Sequence, residues 1–187
     1  MRDVGVINET DEHSDYASYH RSGGCMWTAG TFAINGDATF TSCESVGAGE
    51  SAPGPGGAVF VGETGSASFS EGVTTMETSI TNDFGGQGGG IYNLGEVTLA
   101  GGSRFEDIVA SSGVAIYNGE GAQFCFRNGE TAYFRDLSNC DSVRSALCKL
   151  GYFEFSGPAV FVDADTPVIV ASETSVTVLS EISASWT

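Results

Sequence analysis

The amino-acid sequence predicts an all-β fold, and more specifically a right-handed parallel β-helix (a solenoid) of about five irregular coils. Two observations lead to this prediction. One short block of residues recurs along the chain, and short strand-like runs bounded by turn residues fill the segments between its copies. Many short strands without long helices between them favour an all-β fold. Strands that return every 25 to 33 residues favour a solenoid over a sandwich, because each repeat then stacks on the next.

The recurring block contains one or two small residues, an aliphatic residue, an aromatic residue, and then Thr, Val or Asn. Its aromatic residues are 33, 32, 25 and 44 positions apart, and they are Trp27, Phe60, Tyr92, Tyr117 and Phe161. Equivalent residues of neighbouring coils should lie about 4.8 Å apart and form ladders. Asn93 and Asn118 occupy matching positions, which predicts an asparagine ladder that satisfies backbone groups of the turns. The aliphatic and aromatic positions are both apolar, so the pattern leaves open which of them faces the core.

Short runs between the blocks alternate apolar with polar or small residues, which is the two-residue period of a strand. A phenylalanine follows the block aromatic by 9 to 17 positions, and we expect these residues to be equivalent: Phe40, Phe69, Phe105 and Phe134. Only the segment 141–150 has apolar residues at a helical spacing, at positions 143, 146, 147 and 150. We expect a short helical excursion there.

The repeats are recognisable over residues 22–162. We therefore expect one β-helix domain over 1–187, with an N-terminal strand and loop in 1–21 and C-terminal strands in 163–187. The first residues resemble a strand and the last ones lack a closing element, so we also expect a fragment of a longer solenoid. No signal peptide is visible, because the N-terminus lacks a long apolar segment. The longest apolar runs are far shorter than the roughly 18 residues of a membrane span.

The chain is strongly acidic, with a formal net charge of −17 and Lys149 as its sole lysine. Such a charge repels nucleic-acid phosphates and anionic lipid, so neither is expected as a partner. It is compatible with salty or extracellular water, where screening weakens the self-repulsion of the protein. We therefore expect an extracellular or cell-surface location, with other protein chains or extracellular glycan as partners.

The cysteines are odd in number and match no zinc-binding spacing. They are Cys25, Cys43, Cys125, Cys140 and Cys148. In an exported protein Cys25 would pair with Cys43, and two of the other three would pair with each other. Buried free thiols that act as small core residues are the alternative. The sequence does not decide between these two states.

Two copies of the block carry a family resemblance. Gly-Gly-Gly-Ile-Tyr-Asn at 88–93 and Gly-Val-Ala-Ile-Tyr-Asn at 113–118 resemble the GGAI half of the polymorphic outer membrane protein repeat of chlamydial adhesins. The resemblance spans roughly 22–162 and implies a right-handed β-helix and a surface-exposed, adhesive or structural module, with no catalytic residues to transfer. The family pairs this block with a downstream Phe-x-x-Asn. That half is degenerate here, because the asparagine position holds Cys43, Gly72, Ile108 and Leu137.

A carbohydrate-active enzyme is the main alternative, because pectin lyases, galacturonases and alginate epimerases also use right-handed β-helices. These enzymes place acids and a basic residue on one face of successive coils. The closest arrangement here is Arg104 and Asp107 with Arg135 and Asp136 one coil later. A Ca²⁺-assisted lyase would hold the metal with the carboxylates and abstract a proton with arginine. The simpler interpretation is a pair of exposed ion pairs, which contribute little to stability.

Ice binding through a flat threonine array is a third possibility. Thr39 and Thr41 fit such an array, but no Thr-x-Thr pair recurs at one register along the chain. We therefore expect a non-enzymatic surface, extracellular or assembly-scaffold protein that needs no cofactor. A polysaccharide lyase or epimerase is the second expectation, and an ice-binding solenoid is the third.

Overall fold

A computed structural model describes most of the chain. The described residues are 24–46, 56–77, 80–82, 87–100, 102–110, 113–135, 137, 145–149, 152–155, 159–162, 166–170, 176–178 and 182–185. Within these ranges the protein forms twenty β-strands and no helix, so the predicted all-β class is confirmed. The strand and loop predicted for 1–21 lie outside them. No helix in the described part of the chain is long and apolar enough to cross a membrane.

Three parallel sheets contain eighteen of these strands. Sheet A consists of β1 (Met26–Thr28), β5 (Val59–Val61), β9 (Ile91–Asn93), β12 (Ile116–Asn118), β15 (Ser145–Lys149) and β18 (Thr166–Val170). Sheet B consists of β2 (Thr31–Asn35), β6 (Ser66–Ser70), β10 (Glu96–Leu99), β13 (Gln123–Phe126), β16 (Tyr152–Phe155) and β19 (Val176–Val178). Sheet C consists of β3 (Ala38–Thr41), β7 (Thr74–Glu77), β11 (Ser103–Glu106), β14 (Ala132–Arg135), β17 (Ala159–Val162) and β20 (Ile182–Ser185). A short fourth sheet pairs β4 (Glu44–Val46) with β8 (Ile80–Asn82).

The chain passes through sheets A, B and C in the same order six times, and we call each passage a round. Each strand of a round pairs in parallel with the equivalent strand of the next round. Because β18, β19 and β20 form the sixth round, the region 163–187 contains three strands. The described strands therefore make six rounds where the sequence pattern predicted about five.

The extra round was missed because the fifth block was assigned to the wrong sheet. Phe161 lies in sheet C, in register with Phe134. The residue that follows Tyr117 in the sheet A register is Cys148, not an aromatic residue. The true step from Tyr117 is thus 31 residues, and the apparent step of 44 spans two different sheets.

The sheet A register distinguishes the inner block position from the outer one. Val59, Ile91 and Ile116 are fully buried members of the hydrophobic core. Phe60 and Tyr117 are also buried but lie outside that core cluster. Side chains alternate between the two faces of a strand, so the aliphatic position faces inward and the aromatic position faces outward. The sequence alone had left this point open.

The outward aromatic residues of sheet A stack on one another. The ring centroids of Phe60 and Tyr92 are 5.4 Å apart, and those of Tyr92 and Tyr117 are 4.7 Å apart, with nearly parallel planes. Trp27 is in register with Phe60 and is 44% exposed. This ladder ends at Tyr117, since Cys148 takes the next register position.

The inward residues of sheets B and C form two further columns. In sheet C the column runs Phe40, Met76, Phe105 and Phe134, and the next position in this register is Phe161. Phe69 was predicted to belong to this column, but it lies in sheet B in register with Leu99. The prediction was wrong because a buried methionine fills the second sheet C position as well as a phenylalanine does.

The helix expected within 141–150 is also wrong for the residues that are described. Ser145–Lys149 form strand β15, which pairs with β12 on one side and β18 on the other. Residues 141–144 and 150 lie outside the described residues. Helical spacing is only a weak preference, and pairing along both edges of the segment overrides it.

Two asparagines occupy the corner between sheets A and B. Asn93 and Asn118 are fully buried and in register with each other. The amide nitrogen of Asn93 donates to the side-chain oxygen of Asn118 at 2.7 Å and to the carbonyl of Gln123 at 2.9 Å. The side-chain oxygen of Asn93 accepts a hydrogen bond from the N–H of Gly95. The pair thus satisfies backbone groups of the turn where the chain leaves sheet A.

A disulfide joins Cys25, just before β1, to Cys43, just after β3. Their Cα atoms are 5.4 Å apart, so the beginning and the end of the first round lie next to each other. Cys125 is a buried free thiol. The pairing suggested among the remaining cysteines involves Cys140 and the side chain of Cys148, which lie outside what the structure describes.

We expect Phe105→Ala to lower the free energy of unfolding by about 3–5 kcal/mol. The Phe105 ring is fully buried, stacks on Phe134 with centroids 5.1 Å apart, and leaves a cavity when removed. Tyr133→Ala is the matched control, because Tyr133 lies on the outer face of the adjacent strand and should cost less than about 1 kcal/mol. Urea unfolding followed by circular dichroism measures both. Equal losses would contradict the assignment of inner and outer faces.

Candidate functional site

Three of the four residues proposed for a lyase site lie on or beside the outer face of sheet C. Arg104 and Arg135 are exposed, but they are not directly opposite each other, because Arg104 is in register with Tyr133 and Glu106 with Arg135. Asp107 is exposed, and its backbone N–H donates to the carbonyl of Arg135 at 3.3 Å. Asp136 lies outside the described residues. The structure thus brings Arg104 together with an aromatic ring.

A shallow depression of about 230 Å³ opens on this face beside Arg104. It is formed where β7, β11 and β14 begin, in rounds two, three and four. The residues that line it are Val73, Gly102, Ser103, Arg104, Glu130, Thr131 and Tyr133.

The depression exists because a glycine, Gly102, occupies the middle position of a column of stacked residues. Val73, Gly102 and Thr131 each precede the first residue of a sheet C strand, so they stack in successive rounds. The N–H of Thr74 donates to the carbonyl of Gly102, and the N–H of Ser103 donates to that of Thr131. A Cβ on Gly102 would lie 3.7 Å from Val73 Cγ2 and 3.9 Å from the carbonyl oxygen of Thr131, at ordinary contact distances. The glycine therefore leaves room that a larger residue would fill.

The neighbouring outward column supplies a wall of the depression. Tyr133 is 43% exposed, and the guanidinium carbon of Arg104 lies 5.7 Å from its ring centroid. A cation over a ring face is attracted by the ring quadrupole, which favours one orientation of the exposed tyrosine. Val73, which is 41% exposed, adds an apolar surface on the side of round two. The site therefore combines apolar surface with polar groups.

The charges of the lining are balanced. Arg104 carries a positive charge and Glu130 a negative one, whereas the whole chain carries −17. Thr131 adds a hydroxyl group that can both donate and accept hydrogen bonds, whereas the Ser103 side chain is buried. The depression is thus a nearly neutral area on an acidic protein.

A second polar cluster lies on the outer face of sheet B. Glu154 is largely buried, accepts from Arg127 at 3.0 Å and accepts from the Tyr152 hydroxyl at 2.8 Å. Cys125 is in register with Glu154, and its sulfur lies 3.4 Å from an Arg127 nitrogen. The salt bridge joins Arg127 of round four to Glu154 of round five. The hydrogen bond joins Tyr152 and Glu154 within round five.

The thiol of Cys125 is not activated as a nucleophile. Burial raises its pKa, and the Glu154 carboxylate raises it further, although the Arg127 guanidinium opposes both effects. Reactive cysteines need a lowered pKa and access to solvent. We therefore assign this cluster to packing between rounds.

Metal-ligand clusters and threonine arrays can be compared with the residues that the structure describes. No group of three or more His, Cys, Asp or Glu side chains that could hold a metal ion occurs among the described residues. On the outer face of sheet C, Thr39 is followed in register by Thr75, Arg104 and Tyr133. A regular threonine array is therefore absent from the described part of this face.

The sequence indicated Arg104 but missed Gly102, Tyr133 and Glu130. One signal was available, because Tyr133 and Phe134 are adjacent aromatic residues in a strand, and only one of them can face the core. The depression itself has no motif in the sequence, since it depends on which residues stack in successive rounds. Comparison with protein-family models, curated proteins and solved structures finds no match to this chain.

We expect the stability of the protein at alkaline pH to depend on Tyr152. Its hydrogen bond to Glu154 raises the pKa of the phenol, and burial and the Glu154 charge add to the rise. The folded state therefore prefers the protonated phenol. The resulting stability is fully present below the pKa of an unfolded tyrosine, about 10, and is lost as the pH rises through the higher folded value.

Tyr152→Phe should remove this part of the pH dependence, so the variant should lose less stability than the wild type between about pH 9 and pH 11. Urea unfolding midpoints across this range measure the difference. Tyr133→Phe removes a hydroxyl from another exposed tyrosine and serves as the control. Identical pH profiles for the wild type and Tyr152→Phe would contradict the role of the hydrogen bond.

Proposed function

We propose that the chain is a right-handed parallel β-helix that serves as a non-enzymatic surface or scaffold module. It contacts other protein chains or extracellular glycan through its outer faces. The observation that carries this proposal is the open depression on sheet C, which combines exposed Tyr133 and Val73 with Arg104 and Glu130.

The strand order supports the solenoid. The chain passes through sheets A, B and C in a constant order, and the strands of each round pair in parallel with those of the next round. The Cys25–Cys43 disulfide brings the two ends of the first round together, as a closed coil requires. Parallel strands joined through a crossover are right-handed in nearly all proteins, which supports the handedness.

The form of the depression supports recognition over catalysis. Its volume of about 230 Å³ is below the ~300–1,000 Å³ of enclosed small-molecule sites. Catalytic acid–base chemistry gains most where water is excluded and charges are held in place. Here the depression is open, and its lining residues supply one carboxylate, that of Glu130.

An extracellular or cell-surface location is part of the proposal. The Cys25–Cys43 disulfide supports it, because disulfides form and persist in oxidising compartments. The net charge of −17 supports it as well, since salt screens the repulsion between the acidic groups.

A polysaccharide lyase or epimerase is the second candidate. It is favoured by Arg104, Asp107 and Arg135, which are exposed on or beside sheet C in two successive rounds. In that case the arginines would act on a uronate polymer with Ca²⁺ as the cofactor.

One experiment separates the two candidates. The purified chain is applied to surfaces coated with matrix protein, neutral polysaccharide or polyuronate, with and without Ca²⁺, and both retained protein and released unsaturated sugar are measured. We expect retention on at least one coating, reduced at least about tenfold by Tyr133→Ala, and no released product. Product that increases with the amount of protein and disappears in Arg104→Ala would identify an enzyme and overturn the scaffold proposal.

A further inference from the structure

We propose that the sheet C depression binds one neutral sugar residue of a saccharide chain, seated over Gly102 between Val73 and Thr131 and packed against the Tyr133 ring. This inference rests on the proposed function, because it names the ligand of the same surface. It goes further in choosing glycan over protein and neutral sugar over uronate.

The shape of the depression comes from its missing side chain. Val73 and Thr131 are two rounds apart, about 9.6 Å at the spacing of paired strands. Gly102 lies between them and contributes no side chain. The resulting slot of about 230 Å³ is open to solvent, so it has room for one pyranose ring whose neighbours in a saccharide chain continue into solvent. A residue within a chain of sugars has this form.

The lining offers both an apolar surface and hydrogen-bonding groups, and a sugar needs both. A pyranose has an apolar face made of C–H groups and a rim of hydroxyls. Tyr133 is 43% exposed, and the part of its ring that the Arg104 guanidinium does not cover can contact such C–H groups. Arg104 donates and Glu130 accepts hydrogen bonds, and each can meet a hydroxyl at the rim.

The charge balance selects a neutral ligand. A uronate or sulfated sugar would meet the guanidinium of Arg104 together with the carboxylate of Glu130. It would also approach a protein with a net charge of −17. The balanced charges of the lining and the repulsion between an acidic ligand and the acidic protein both favour a ligand without charge.

Peptide binding by strand addition is not available at this site. Extended peptides commonly bind by adding a strand to a free sheet edge. The strand β11 at the centre of the depression pairs with β7 on one side and β14 on the other. Its backbone groups are therefore engaged with neighbouring rounds, so a ligand cannot pair with it as an added strand.

The test is isothermal titration of the intact chain with four probes. The neutral probes are cellohexaose, mannohexaose and hexa-N-acetylchitohexaose, and the acidic probe is hexagalacturonate. We expect at least one neutral probe to bind and hexagalacturonate to bind at least about tenfold more weakly. Tyr133→Ala and Gly102→Val should each lower the affinity for the neutral probe at least about tenfold. Tyr133→Phe keeps the ring and should retain most of the affinity.

Matched controls separate loss of the site from loss of the fold. Gly30→Val adds the same side chain at a glycine with open space around it, and Tyr152→Ala removes an exposed tyrosine from sheet B. Both should bind as the wild type does. Unfolding midpoints of all variants are compared, and if Gly102→Val is unfolded, Tyr133→Ala decides the result.

Three results would overturn the inference: no binding of any neutral probe, preferential binding of hexagalacturonate, or binding that Tyr133→Ala leaves unchanged. Retention on matrix-protein coatings without saccharide binding would reject the sugar ligand while the scaffold role stands. Release of unsaturated product would reject the scaffold role itself.

Discussion

Parallel backbone pairing between successive rounds is the constraint on which the other features depend. Each central strand is hydrogen-bonded on both edges, so the residues of these strands have fixed partners in the round before and the round after. Side chains therefore meet in columns about 4.8 Å apart. The core phenylalanines, the Asn93–Asn118 pair and the outer tyrosines are all columns of this kind. Even the depression on sheet C is a column, one in which the middle residue is glycine.

The sequence predicted the all-β class and the recurrence of its strands but misplaced part of their register. The block was recognised by its aromatic residue, which faces outward in sheet A and is replaced by Cys148 in the fifth round. The position that faces inward holds Met26, Val59, Ile91 and Ile116 in the first four rounds, and Leu147 and Val168 follow in the same register. Burial constrains the inner position strongly, whereas the outer position is free to change.

The candidate site was less predictable than the fold, for a related reason. Arg104 stood out because its charge is rare in this chain, but its partner could not be inferred from spacing. Register places Arg104 beside Tyr133, and Arg135 beside Glu106. Tyr133 and Arg135 are two positions apart on the same strand, so a register shift of two positions would change the partner of Glu106 from Arg135 to Tyr133. Residues 29 positions apart define the site, and the lengths of the rounds bring them together.

The short sheet formed by β4 and β8 shows how the molecule accommodates differences in length. These strands follow sheet C in the first and second rounds, and they pair with each other outside the three main sheets. Extra residues in neighbouring rounds thus stack on one another and leave the inner columns undisturbed. Rounds of 33, 32 and 25 residues coexist for this reason. Evolution can therefore enlarge this corner of the molecule, and any epitope carried there, without a compensating change in the core.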